Sequence, residues 1–317
     1  MGNVCKVAII GAGAMAREHV RAFLDVPGCE VCGIFSRTKA KSESLASEFG
    51  IQTVSDNVEA LFHTTEANLL VVAVSELSAR EILLSAFSFP WVILAEKPVG
   101  LNYAENKEIT KAASGKQAKV FVGLNRRLYG STLAAVNDIG KEGGPRFIEV
   151  FDQQDPDVIL RAGRDPTVVK NWMYANSLHL IDYFTVFGRG KVNRVVPISS
   201  WNPEKPGIVV AAVFFESGDI GMYHGVWNGP GPWACFVTTP KRRWEMRPLE
   251  RAAYQVRGQR EFTVLPEAEF DLRFKPGFRV QAEQAVKAAF GLPSSLATLE
   301  EANKSMLLVR NIFELSQ

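Results

Sequence analysis

As far as about residue 123 the chain alternates short apolar runs with longer stretches of mixed polarity. The apolar runs are residues 7–11, 30–35, 69–74, 92–95 and 119–123. Runs of that length, without polar alternation, fit strands covered on both faces. The stretches between them carry helix signals. Residues 14–24 and 39–49 have helical spacing, and Ser78-Ala-Arg-Glu81 and Asn102-Tyr-Ala-Glu105 each put a capping residue three positions ahead of a glutamate. That spacing lets both side chains satisfy the free N–H groups of a helix start. Strand and helix in strict alternation predict a doubly wound parallel sheet.

Beyond residue 123 the pattern changes. Helical spacing appears over 131–139 and 168–187, and residues 151–165, rich in Asp and Arg, predict a loop that covers a site. Strand-like pieces then follow one another at 192–201, 208–216, 220–227, 233–239, 242–247, 252–256 and 262–265, with Glu216-Ser-Gly-Asp219 as a hairpin turn. Consecutive strands pair antiparallel, so a large, mostly antiparallel sheet is expected, with helices on one face and the other face open or used for association. A third capping box, Thr298-Leu-Glu-Glu301, opens a closing helix whose apolar face is Leu299, Ala302, Met306, Val309 and Phe313. The expected fold is therefore α/β: a dinucleotide-binding parallel sheet over 1–122 and a substrate-binding and oligomerisation α/β domain over 123–317.

Composition narrows the partners. Of the 317 residues, 47% are hydrophobic and 22% charged, and the net charge is +2. Neither nucleic acid nor an anionic membrane is an expected partner of so balanced a surface. No apolar run is long enough to span a bilayer, the start has no basic n-region, and Lys6 stands where a myristoylation pattern needs Ser or Thr. A cytoplasmic protein is expected. The four cysteines include a C-x-x-C pair, Cys29 and Cys32, but no second ligand pair for zinc, so no metal is expected.

The first strand runs into chemistry. Val7-Ala-Ile-Ile-Gly-Ala-Gly-Ala-Met-Ala16 is a strand, then G-x-G-x-x-A, then a helix. Gly11 permits the tight turn, Gly13 lets the backbone approach a pyrophosphate, and Ala16 lets the helix pack on the strand. Free N–H groups around Ala14 and Met15 at the helix start would face the phosphates. An acidic residue at the end of the second strand would favour NAD(H) through the ribose hydroxyl. Here that end is Ser36-Arg37-Thr38, two hydroxyls and a guanidinium, which favours the 2′-phosphate of NADP(H) over NAD(H). The end of the third apolar run adds Val74 and Ser75.

The fourth run, 92–95, ends in Glu96-Lys97-Pro98. Proline fixes φ and stiffens the backbone that carries the lysine, and an X-Pro bond tolerates the cis form. Carboxyl ends of parallel strands are where such sheets bind ligands. On the helix expected over 168–187, Asn176, His179 and Asp182 share one face at spacings of three.

These pieces resemble the glucose-fructose oxidoreductase and inositol dehydrogenase (Gfo/Idh/MocA) family over nearly the whole chain. The resemblance rests on VAIIGAGAMAREH, AEKPVGLNYAE, VGLNRR at 122–127, LHLIDYF at 178–184 and the closing F-x-x-Q-A-E and LEEANKSMLLV. It implies a nicotinamide cofactor, a sugar, cyclitol or nucleotide-sugar substrate, and a homodimer or homotetramer formed through the open face of the second sheet. It places Lys97 beside the nicotinamide, Glu96 near the cofactor ribose, Asn125 near cofactor or substrate, and His179 as the second acid–base candidate, with Trp172, Asn176, Asp182 and Arg126 around the substrate. The chain departs from its relatives at Ala175, where many have an aspartate four residues before the histidine. The sequence thus predicts an NADP(H)-preferring oxidoreductase of a sugar hydroxyl or ketone, with Lys97 and His179 as proton carriers. The alternatives are a biliverdin-reductase-like enzyme for a non-sugar molecule and a catalytically silent sensor that binds NADP.

Overall fold

The computed structural model describes residues 4–316; Met1, Gly2 and Asn3, where a myristoylation pattern would begin, lie outside the described residues, as does Gln317. Residues 1–125 with 272–302 make one compact unit, and 126–271 with 303–317 make a second. The closing helix, Leu299–Ile312, begins in the first and ends in the second.

The first unit is built on strands β1 (Cys5–Ile10), β2 (Cys29–Phe35), β3 (Thr53–Ser55), β4 (Leu69–Val72), β5 (Val92–Ala95) and β6 (Lys119–Val122). They alternate with helices α1 (Ala14–Leu24), α2 (Lys39–Phe49), α3 (Val58–Thr65), α4 (Glu76–Ala86) and α5 (Tyr103–Ala113). Across the sheet the order is β6-β5-β4-β1-β2-β3, all parallel, and strand Ala297–Thr298 adds antiparallel to β6. The reversal of order at β1 and β4 is the switch point where such sheets open a ligand crevice. Ile9, Leu69, Leu70, Val71 and Ile93 have no solvent exposure at all. Each is worth about 1.5–3 kcal/mol of burial, and a polar side chain there would forfeit that and pay desolvation besides. Polar chemistry is therefore confined to the strand ends.

Those ends are laced together. Gly11 N–H donates to Phe35 O, Ala73 N–H to Ile10 O, Glu96 N–H to Val72 O and Gly123 N–H to Ala95 O, all at 2.7–2.8 Å. Gly11 has φ +116°, and a Cβ there would sit 2.1 Å from Ala73 O. Short βα turns thus meet one another backbone to backbone along the carboxyl edge.

The second unit contains β7 (Phe147–Gln154), β8 (Val192–Pro197), β9 (Ile208–Phe215), β10 (Ile220–Trp227), β11 (Ala234–Thr238), β12 (Arg242–Met246), β13 (Ala252–Val256) and β14 (Phe262–Val264). Their order is β14-β13-β12-β11-β7-β10-β9-β8; β7 and β10 run parallel and every other pair antiparallel. Alternate residues of β7 and β10 are buried, and the others are only half-buried. The less covered face carries Phe147, Phe151, Met222 and Val226. Among the described residues no helix is long and apolar enough to cross a membrane.

Four sequence expectations change here. Residues 151–165 are not a loop: they hold the end of β7 and helix Pro156–Arg161. Asp152 and Gln154 sit at inward positions of that strand, so its apolar alternation breaks off after Val150. The helix over 168–187 is broken into Pro166–Lys170, a π turn at Met173–Ser177, Leu178–Ile181 and Tyr183–Phe187. Asn171 Nδ2 turns back to Thr167 O at 2.9 Å, the competition with helix continuation that Asn offers. The helix expected to start at Ser78 begins at Glu76, with Ser75 as its cap residue. The short β3 and α3 had no apolar run to announce them.

The Gly11 geometry sets an expected outcome. Gly11→Ala should destabilise the first unit by about 3 kcal/mol or more, from backbone strain and the clash with Ala73. Denaturant unfolding of the cofactor-free protein checks this; a loss under about 1 kcal/mol would show that the turn can relax.

Candidate cofactor and acid–base site

A cleft of about 240 Å³ lies at the carboxyl edge of the first sheet. Gly11, Gly13, Ser36, Arg37, Thr38, Val74 and Ser75 line it, together with Ala12, Phe35, Lys41, Ser78 and Ile82. Gly13 is the N-cap residue of α1 and brings no side-chain cap, the first turn has no acidic residue, and a Cβ on Gly13 would meet nothing within 4 Å. The N–H groups of that turn therefore face open space with a positive dipole end, which suits a pyrophosphate. The residues fit a dinucleotide. Ala14 and Met15 form the first helical turn beside the cleft.

At the β2 end the hydroxyl of Ser36 bonds Thr38 O at 2.9 Å and the Ser42 hydroxyl at 2.8 Å. It organises the loop and is not idle. Arg37 is exposed, and neither it nor Lys41 has an ion-pair partner among the described residues. Lys41 escaped the sequence reading; its signal was its place one helical turn beyond Arg37. Among the described residues, two cations and no carboxylate line this rim.

Further along the same edge, Glu96 and Lys97 follow β5. Lys97 is half-buried, and its bond to Pro98 is cis. Glu96 Oε1 lies 2.7 Å from His19 Nε2 of α1, with side-chain exposures of 13% and 1%. Burial alone would raise the Glu96 carboxyl, but the His19 hydrogen bond, with the charges of His19 and Lys97, outweighs burial and holds it below the ordinary carboxylate range. Glu96 is thus turned toward α1. Asn125 is also committed: its Nδ2 donates to Pro276 O at 3.0 Å within the first unit. His19, missed from sequence, lies three residues past the small Ala16 of the glycine turn.

In the second unit the predicted substrate residues part company. Asp182 is 3% exposed and takes a bidentate pair from Arg127, Nε to Oδ2 and Nη2 to Oδ1, both at 2.7 Å. Ser305 donates to it at 2.6 Å and Thr185 at 2.9 Å. Trp172 Nε1 and Asn176 Nδ2 both donate to Gln154 Oε1, at 2.7 and 2.9 Å. Gln154 in turn donates to Asp152, which also accepts from Tyr223 Oη at 2.7 Å. Burial raises the Asp152 carboxyl, and the donors Ser177, Tyr223 and Gln154 offset that only in part. Asn176 and Asp182 are thus engaged with different partners, and a π turn at Met173–Ser177 interrupts the helix between Asn176 and the residues after it. His179 is 8% exposed. The Arg126 guanidinium stacks 4.4 Å from the Trp233 ring.

The Cys29-x-x-Cys32 pair is unsuited to a metal. Burial pushes the Cys32 thiol up to about 11, and among the described residues no group of three His, Cys, Asp or Glu is arranged to hold an ion.

Residues 5–124 match the family model described as "Oxidoreductase family, NAD-binding Rossmann fold" (GFO_IDH_MocA). Glucose-6-phosphate 3-dehydrogenase of Bacillus subtilis is 29% identical over 122 residues, 38% of this chain and 34% of that protein. Inositol 2-dehydrogenase of Pseudarthrobacter chlorophenolicus is 25% identical over 215 residues, 64% of this chain and 63% of that protein. The chain thus spans less than two thirds of either relative. Levoglucosan dehydrogenase in complex with NADH shares the fold, with a TM-score of 0.83 at 16% identity, over 99% of this chain and 96% of that one. The first unit, with its glycine turn and its Glu96-Lys97-Pro98 strand end, is thus similar over residues 5–124 to the Gfo/Idh/MocA oxidoreductases.

Proposed function

We propose that this chain is an oxidoreductase acting on a hydroxyl or keto carbon of a sugar or nucleotide-linked sugar, with NADP(H) preferred over NAD(H). The observation that carries this reading is that one edge of one sheet holds the dinucleotide turn at Gly11–Met15, the cationic rim of Arg37 and Lys41, and Lys97. The relatives' names, a sugar-phosphate dehydrogenase and a cyclitol dehydrogenase, support the substrate class. A bound nicotinamide dinucleotide supplies or accepts the hydride.

The chain's own residues do the rest. The α1 N–H groups and Gly13 hold the pyrophosphate, and Arg37 with Lys41 holds the 2′-phosphate. Interconverting C–OH and C=O requires one proton to leave or arrive at the oxygen. Lys97 carries it in this reading, as the ionisable group that the β5 end delivers to the cofactor edge. On either side of His179, residue 175 is an alanine and Asp182 is engaged by Arg127. His179 remains the second unit's candidate for proton transfer.

Binding and turnover test the two parts separately. Wild type should bind NADPH about 10-fold or more tighter than NADH, and Arg37→Ala should shrink that gap severalfold, the effect of one charged contact. Equal affinities in the wild type would end the NADP(H) preference. On a panel of keto-sugars, NADPH oxidation should fall about 10²–10⁴-fold in Lys97→Ala while NADPH binding persists. Tight NADPH binding with no turnover on any carbonyl would instead identify a sensor.

A further inference from the structure

We infer that His19 is a positioning residue: by donating its Nε2–H to Glu96 it fixes a half-buried carboxylate beside Lys97 and so sets the charge on the Lys97 ammonium. This rests on the proposed function only in so far as Lys97 matters to it; the coupling itself is a property of the first unit.

The geometry is closed on all sides. His19 is 1% exposed, its ring packs 4.6 Å from the ring of Phe278, and Nε2 reaches Glu96 at 2.7 Å. An ionised carboxylate only accepts, so Nε2 is the protonated nitrogen of that pair. The other side of Glu96 is bounded by Gly123 at the end of β6, where an added Cβ would lie 3.4 Å from Oε1. Held there, Glu96 is a fixed negative charge next along the chain from the half-buried lysine.

Other charges near the pair are already spoken for. On α1, Arg17 pairs with Glu48 and Arg21 with Glu18. Arg279, on helix Phe278–Ala289, pairs with Asp25 and Glu283, and Lys287 with Glu283. Lys275 lies 5.9 Å from the Phe278 ring centre, and Lys119 of β6 is exposed. The groups acting on Glu96 are His19 and Lys97. A carboxylate in that position favours the ammonium form of Lys97, while a cationic nicotinamide would favour the free amine. His19 keeps the anionic side of that balance in place.

The test needs neither substrate nor cofactor. Competitive acetylation of the intact chain with trace acetic anhydride across pH, with Lys97 read by peptide mass spectrometry, gives the titration of that one amine. Glu96→Gln should lower the Lys97 midpoint by about one pH unit or more. His19→Leu should lower it in the same direction, His19→Gln, which can still donate at the Nε2 position, should keep it near wild type, and the double variant His19→Leu/Glu96→Gln should go no further than Glu96→Gln alone. Identical Lys97 curves in wild type and Glu96→Gln would overturn the inference. So would a His19→Gln curve shifted as far as that of Glu96→Gln, and these two variants decide the matter if His19→Leu does not fold. Retained turnover in Lys97→Ala would defeat the functional reading instead, and leaves this titration untouched.

Discussion

The constraint that organises the first unit is that its central strands are apolar and covered over Val7–Ile10, Leu69–Val72 and Ile93–Ala95. Nothing ionisable can be placed within those stretches without losing burial energy and paying for desolvation. Parallel connections then bring the carboxyl ends of these strands to one edge. The backbone bonds from Gly11, Ala73, Glu96 and Gly123 stitch those ends into a continuous rim. The glycine turn, the Ser36-Arg37-Thr38 loop and the Glu96–Lys97 pair are neighbours on that rim because the sheet leaves them nowhere else to be.

Much of this was legible in the sequence because it depends on local rules. Apolar runs mark doubly covered strands, and G-x-G-x-x-A after the first of them marks the turn. Two capping boxes also read correctly: Asn102 accepts from Glu105 N–H, and Thr298 and Glu301 cap each other. The 78–81 box did not, since the backbone had already turned helical at Glu76. What stayed hidden depends on contacts distant in sequence. Nothing near His19 announces Glu96, 77 residues away. Nothing near Asp182 announces Arg127, 55 residues earlier. The strand 147–154 was obscured because Asp152 and Gln154 occupy its buried face, where the pattern expects apolar residues.

In the second unit the helix that spacing predicts over 168–187 is interrupted. The π turn at Met173–Ser177 shifts the phase between Asn176 and the residues after it. Asn176 is drawn to Gln154, and Asp182 to Arg127, Ser305 and Thr185. A buried bidentate pair of that kind is costly to break, about 3–5 kcal/mol, so Asp182 serves the architecture of this unit. Residue 175 is an alanine, and Asp182, held by Arg127, Ser305 and Thr185, is not available in its place.

The central claim, that the strand-end rim is a nicotinamide-dinucleotide site with Lys97 at its reactive end, is tested most directly by a crystal structure of the protein grown with NADPH. The expected result is pyrophosphate density against the Gly11–Met15 turn, the adenosine phosphate against Arg37 and Lys41, and the nicotinamide beside Lys97. A dinucleotide that leaves the glycine turn empty, or that lies with its nicotinamide at Arg37, would contradict the account.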